Sequence, residues 1–264
     1  MTGAAKGNGM KKQRKWLPAL VGLAILLAVW HAVCAAGLVN AYVLPSPEKV
    51  WQTFRKMAAS GELVGDIAVS FVRVLKGFWI AFALAFLLAA VRILLPKSAP
   101  YYEYLVQFFR NVPPLAMIPL LILWFGIGEK TKTVIIVLAS FFPMYLSIVK
   151  GFTGCDERLL EVARSFDYSP ARAFFRVVLP SAVPDILVGM RTSLGYSWRS
   201  IIGAEMVAAA TGLGHMILFA QQMSRTDKVI IGIFAIGIVG CATDWLLGRL
   251  IRRMVGGTAQ NGWN

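Results

Sequence analysis

Of the charged side chains inside long apolar runs three stand out: Arg199 and Glu205 within 184–209, and Asp244 within 229–251. A charge is costly there and marks a functional group by default. The chemistry open to these groups is the binding of charge, either along a path through an apolar medium or in ion pairs that tie helices together. Arg199 and Glu205 are six residues apart, about 240° around a helix, so they share no face and do not pair with each other. Arg73, Lys76 and Arg110 lie nearer the ends of apolar runs, where a long side chain reaches the interface without a functional role. Bond-making chemistry has no comparable footing. There is no G-x-x-x-x-G-K-[ST] phosphate cradle, GIGEKT at 126–131 having the wrong spacing, and no nucleophile elbow or H-E-x-x-H helix. His31 and His215 are far apart, and Cys34, Cys155 and Cys241 have neither metal nor disulfide spacing. No catalytic residue, metal site or bound cofactor is expected.

The elements that must position these groups are membrane helices. Of the 264 residues 58% are apolar, with a mean hydropathy of +0.66, whereas a soluble domain has about 45–50%. Six segments approach the roughly 20 residues that cross about 30 Å of hydrocarbon: 17–36, 70–95, 104–125, 133–149, 184–209 and 229–251. They read as helices, because backbone groups in lipid must be bonded within the segment and no strand-like alternation occurs. The first follows Lys6, Lys11, Lys12, Arg14 and Lys15; it exceeds the roughly 7–15 apolar residues of a signal peptide and reads as an uncleaved helix. The third carries Pro113, Pro114 and Pro119, which interrupt its continuity. Segment 37–69, with Pro45, Pro47 and a weakly amphipathic stretch at 50–57, fits an interfacial helix or lid, or equally a simple connector.

The formal net charge of +14 is spread over short segments between apolar runs, with no basic face of interleaved aromatics, so no nucleic-acid partner is expected. An even span count puts both termini on one side. Lys6 to Lys15, Arg92, Lys97, Lys150 to Arg176, and Arg249, Arg252 and Arg253 share that side, which is the cytoplasm by the positive-inside rule. The organisation expected is a basic tail at 1–15, a membrane domain at 16–253 and a mobile tail at 254–264.

The one long polar passage in the second half runs between spans at 153–183. Leu159, Leu160, Val162, Ala163 and Phe166 recur at helical spacing after Asp156 or Thr153, either of which can cap the helix start. Asp167-Tyr168-Ser169-Pro170 makes a turn, and aspartate tolerates left-handed backbone better than most residues. A second helix is predicted from Pro170 to Val178, its proline in the first turn where the missing N–H costs nothing, with Pro180 and Pro184 ending it before the next span.

This passage, EVARSFDYSPARAFFRVVLPSAVPDILVG, resembles the EAA loop of ABC-importer permeases. Glu161, Ala163 and Leu179-Pro180 match; Val162 replaces the middle alanine and Asp167 the usual glycine. The resemblance extends to LPSPEKVWQTF at 44–54, FRNVPPLAMIPLLILWFGIGEKTK at 109–132, FFPMYLSIVKGF at 141–152 and IIGAEMVAAATGLGHMI at 201–217, all similar to the nitrate/sulfonate/taurine-type subfamily. It implies an all-α membrane protein of about six transmembrane helices with a type I ABC-importer (MetI-like) core and a cytoplasmic coupling helix, in a bacterial inner membrane. It implies a permease that is not itself an enzyme, with two ABC ATPase subunits that bind ATP, a second permease copy and an external solute-binding protein as partners.

By the same resemblance Glu161, Ala163, Ser165, Phe166, Asp167, Tyr168 and Ser169 form the ATPase-docking loop, and Gly212 and Gly214 belong to an outer gate that meets the binding protein; re-entry geometry explains these glycines as well. Arg199 and Glu205 are candidates for the path, Arg199 favouring an anion, or else for internal ion pairs. Ser193, Ser197 and Ser200, with Gly189, Gly195 and Gly203, fit a helix seam as readily as a pore. An ATP-independent secondary transporter or channel is the rival class; it predicts inverted repeats or acidic relays, which the chain does not show.

Overall fold

The computed structural model describes residues 7–255, with side chains at Pro18 and 21–253. The terminal stretches 1–6 and 256–264, parts of the two expected tails, lie outside the described residues, and helix α1 (Gly7–Ala35) already begins inside the segment read as a tail. Among the described residues every regular element is helical. Segment 37–69 holds a helix rather than a bare connector: α2 (Pro47–Ser60) starts where Ser46 Oγ accepts from Lys49 N and Pro47 occupies the first turn. Gly61, at φ 78°, ends it and opens α3 (Glu62–Leu94).

The predicted third span is not one helix. It is α4 (Ala99–Arg110), a proline-bearing break with a 3₁₀ turn, and α5 (Ile118–Phe125), and the two arms meet at a 91° bend. Helix α6 (Glu129–Thr153) follows; then come α7 (Glu157–Ser165), α8 (Pro170–Ala173), α9 (Leu179–Ala208), α10 (Leu213–Gln222) and α11 (Thr226–Val255). Four runs are long and apolar enough to cross a membrane: α3, α6, the run from Pro170 to Ala208, and α11. The bent pair makes a fifth if it counts as one crossing, and α1 contributes a shorter apolar stretch at Val21–Ala35.

The expected stop at Pro180 and Pro184 is overturned. Helix α8 passes through a π turn at Phe174–Val178 directly into α9, giving one helical run of 39 residues. The wide turn, closed by Leu179 N to Phe174 O, inserts extra backbone just before Pro180, where an ordinary helix would miss an N–H donor. The loop is therefore continuous with the span that carries Arg199 and Glu205.

Helix α6 lies between α3 and α9 and packs most extensively on both. Ala81, Ala85 and Ala89 of α3, spaced by four, are fully buried on one face, opposite a core that includes Ile135, Ile136, Met144 and Ile148 of α6. Small residues bring the helices close. A Cβ on Gly189 would lie 2.5 Å from the Ser147 Cβ. Gly189→Val should therefore destabilise the bundle by about 2 kcal/mol through overpacking, read as a lower thermal transition of the detergent-solubilised protein. Ser140 and Ser197 close the same seam at midspan with a 2.5 Å Oγ to Oγ hydrogen bond. Apolar side chains such as Ile25 and Leu26 of α1 and Ile238 and Leu246 of α11 face outward, as a lipid medium requires.

Candidate functional site

The bundle has two ends. The hairpin end holds the α9–α10–α11 connection, and the loop end holds α7 and α8. At the hairpin end Glu205 is fully buried near the close of α9. Its carboxylate accepts from Ser70 Oγ at 2.8 Å, from Arg73 Nη1 at 2.8 Å and from Gly214 N at 3.0 Å. Arg73, only 9% exposed, also donates to Glu129 and to Thr211 O and Oγ1. Lys132 Nζ completes the set with a 2.6 Å contact to Glu129. Two arginine or lysine cations thus face two carboxylates, which lets charge sit in a buried place at tolerable cost.

The hairpin glycines are required by this arrangement. Gly212 lies at φ 108°, and a Cβ there would fall 2.5 Å from Glu205 Oε1. A Cβ on Gly214 would collide with the Ile202 carbonyl oxygen. Their N–H groups are used too: Gly212 N donates to Asp66, Leu213 N to Ser70 Oγ, and Gly214 N to Glu205, so the α10 N-terminus is capped by carboxylates and a hydroxyl. The structure therefore brings Glu205, Gly212 and Gly214 together and leaves Arg199 apart from them.

Arg199 is exposed on α9 and stacks over the Tyr196 ring, 5.9 Å from its centroid. It borders a groove between α9 and α11 of about 470 Å³. The far end of that groove holds Arg191 and Asp244, bound by two 2.6 Å hydrogen bonds. Asp244 thus has a partner that sequence reading did not name.

At the loop end Asp156 caps α7 by accepting from Arg158 N at 2.9 Å. Asp167 takes the left-handed turn at φ 52°, with Asp167 N bonded to Arg164 O and Tyr168 N to Ala163 O, the bond pair of a Schellman helix end. Ser169 Oγ then caps α8 by accepting from Arg172 N, and Arg172 lies over the Tyr168 ring. Ala163 is buried and packs inward, whereas Glu161, Ser165, Asp167 and Ser169 are exposed and Tyr168 is half-buried. Leu159, Val162 and, at 72% exposure, Phe166 form an exposed apolar edge. Phe174, packed on Phe152 with ring centroids 5.1 Å apart, anchors the loop to α6.

Arg73, Ser70, Glu129, Thr211 and Lys132 were not singled out as a set from the sequence. The available signal was helix length: α3 begins at Glu62, not near residue 70, so Arg73 lies well inside it and cannot simply reach solvent past its end.

Residues 81–256 match the family described as "Binding-protein-dependent transport system inner membrane component". The chain is 36% identical to the putative aliphatic sulfonates transport permease protein SsuC of Bacillus subtilis (strain 168), over 93% of this chain and 89% of that one. It is 33% identical to the taurine transport system permease protein TauC of Escherichia coli (strain K12), covering 88% and 86%. It is 26% identical to the nitrate import permease protein NrtB of Leptolyngbya laminosa, covering 93% and 90%. In fold it resembles an amino acid ABC transporter chain, with a TM-score of 0.62 at 15% identity over 76% of this chain and 96% of that one. A chain of the inward-facing MetNI methionine ABC transporter gives 0.52 at 19% identity over 73% and 94%. With its exposed α7–α8 loop fused to a long membrane helix, the chain belongs to the binding-protein-dependent inner membrane component family, the permease subunits of ABC importers.

Proposed function

We propose that the chain forms the translocation path for a small oxyanionic nutrient, as one of two identical permease copies served by two ATPase subunits and an external binding protein. The observation that carries the reading is the rigid loop. A capped helix, a fixed left-handed turn and a second helix present Leu159, Val162 and Phe166 outward, and α8 runs without a break into α9. A push on α7 is thus passed through the turn and the π turn along α9 toward Arg199 and Glu205.

In this reading Glu161, Ser165, Phe166, Asp167, Tyr168 and Ser169 meet the ATPase, with Ala163 holding the knob to the bundle. Glu205, Gly212 and Gly214 fix the hairpin at the opposite mouth, and Arg199 faces the path. The loop end is cytoplasmic, where Arg158, Arg164, Arg172, Arg176, Arg249, Arg252 and Arg253 gather. ATP is bound by the partner subunit, and its different affinity for the two permease conformations supplies the work.

Relatives named for aliphatic sulfonates, taurine and nitrate share an oxyanion in their cargo. In proteoliposomes containing the permease, its ATPase and the binding protein, uptake of labelled sulfonate is expected only with ATP and with all three components. Uptake that proceeds without the ATPase would assign the chain to the secondary transporters instead.

A further inference from the structure

We infer that the groove between α9 and α11 is a membrane-level subsite for a singly charged oxyanion with an apolar body, a sulfonate in kind; this rests on the importer reading above. The first observation is depth. Arg199 stands nine residues, about 14 Å, from the Ala208 end of α9 and twenty residues, about 30 Å, from Leu179. That sets its backbone within the helical run that is long and apolar enough to cross a membrane, and it makes no ion pair among the described residues. A cation held there against hydrocarbon is expensive, so it needs water or an anion before it.

The second observation is the shape and charge of the groove. Its volume of about 470 Å³ lies in the range of small-ligand sites. Gly195 on α9 and Gly237 on α11 leave open space between the helices, Gly240 lets the Trp198 ring pack close, and Leu194, Trp198 and Ile236 give the groove apolar walls. Arg191 and Asp244 cancel each other through their two hydrogen bonds, which leaves Arg199 as the uncompensated charge. One monoanion brings the groove to neutrality, a dianion overshoots and a cation is repelled. The guanidinium fork can donate to two of the three oxygens of a sulfonate head at once, and the apolar walls accept its tail. The same chemistry is presented by the phosphate of an anionic lipid, and the experiment separates the two.

Cys241 lines the groove and is exposed, so it reports on what enters. In a C34S/C155S background, the permease–ATPase complex in zwitterionic-lipid nanodiscs is treated with sulfonatoethyl and trimethylammonioethyl methanethiosulfonates. Rates are corrected for those with free cysteine. The anionic reagent is expected to modify Cys241 at least about tenfold faster than the cationic one, since a single-sign cleft concentrates counter-ions. Butanesulfonate should slow it saturably. Arg199→Gln should abolish the preference, and Arg199→Lys, which keeps the charge, should retain it; both are compared as monodisperse complexes.

Equal corrected rates, no modification by either reagent, or no protection by butanesulfonate overturns the subsite. So does protection by phosphatidylglycerol nanodiscs where butanesulfonate gives none, which makes the groove a lipid headgroup seat. The ATPase retained in the same preparation is a separate readout. Its retention without anion preference removes the subsite alone, and its absence counts against the importer reading itself.

Discussion

Glu205→Ala lowers the thermal transition of the solubilised permease by the equivalent of about 3–5 kcal/mol, the usual cost of removing one partner of a buried ion pair. The expectation follows from what is left behind. Arg73 keeps Glu129 and Thr211, but it loses the one fully buried carboxylate it touches, and Gly214 N loses its acceptor. The hairpin that starts α10 is thereby released at its root, so transport is expected to fail even in the fraction that remains folded. Glu205→Gln keeps the volume and one acceptor oxygen but turns donors toward Gly214 N or Ser70, and should fall between wild type and alanine. The decisive comparison is Arg73→Met combined with Glu205→Leu. Removing both charges should cost less than the sum of the single changes, because no unpaired charge remains at Glu205's seat. Strict additivity of the two single losses, measured by thermal shift, would show that Arg73 and Glu205 act independently.

Phe166→Asp abolishes co-purification of the ATPase while leaving the permease folded. Phe166 is 72% exposed at the end of α7, so little of its ring is buried in the bundle. An exposed aromatic anchor in a docking knob commonly supplies about 2 kcal/mol or more of binding, roughly a thirtyfold change in affinity; a buried charge in its place costs further. Glu161→Ala with Asp167→Arg should act in the same direction by altering the knob's polar face and its turn. Asp167→Gly is the control. Glycine takes the φ of 52° without strain, so this variant should dock and transport as well as wild type and melt no lower. Undiminished ATPase recovery with Phe166→Asp would mean that α7 docks through its polar face or that the loop serves only the permease.

The parts of this loop legible in the sequence are those governed by local backbone chemistry. An aspartate before an apolar periodic run caps the helix it precedes, an aspartate between Phe166 and Tyr168 takes the left-handed turn, and a proline begins the next helix. The same local rules failed at Pro180 and Pro184. A proline's missing N–H ends a helix only when nothing reorganises the hydrogen bonds around it, and here a π turn does so. The bend between α4 and α5 follows the opposite course: three prolines in a short stretch break the helix, and no bulge repairs it.

Composition, span lengths, the cation distribution and the polar loop are properties of the chain taken in order, and they determined by themselves that this is an all-helical membrane protein with one long polar loop between two of its spans. The different faces of Arg199 and Glu205 were also legible, because they follow from helical geometry alone. The partners of those charges were decided only by the tertiary structure. Arg73 and Glu205 are 132 positions apart, Ser70 and Glu205 135, and Arg191 and Asp244 53. Their pairing depends on the register in which α3, α6, α9 and α11 pack. That register is set by small residues such as Gly77 and Gly189, where helix surfaces meet closely enough that a single added carbon would collide.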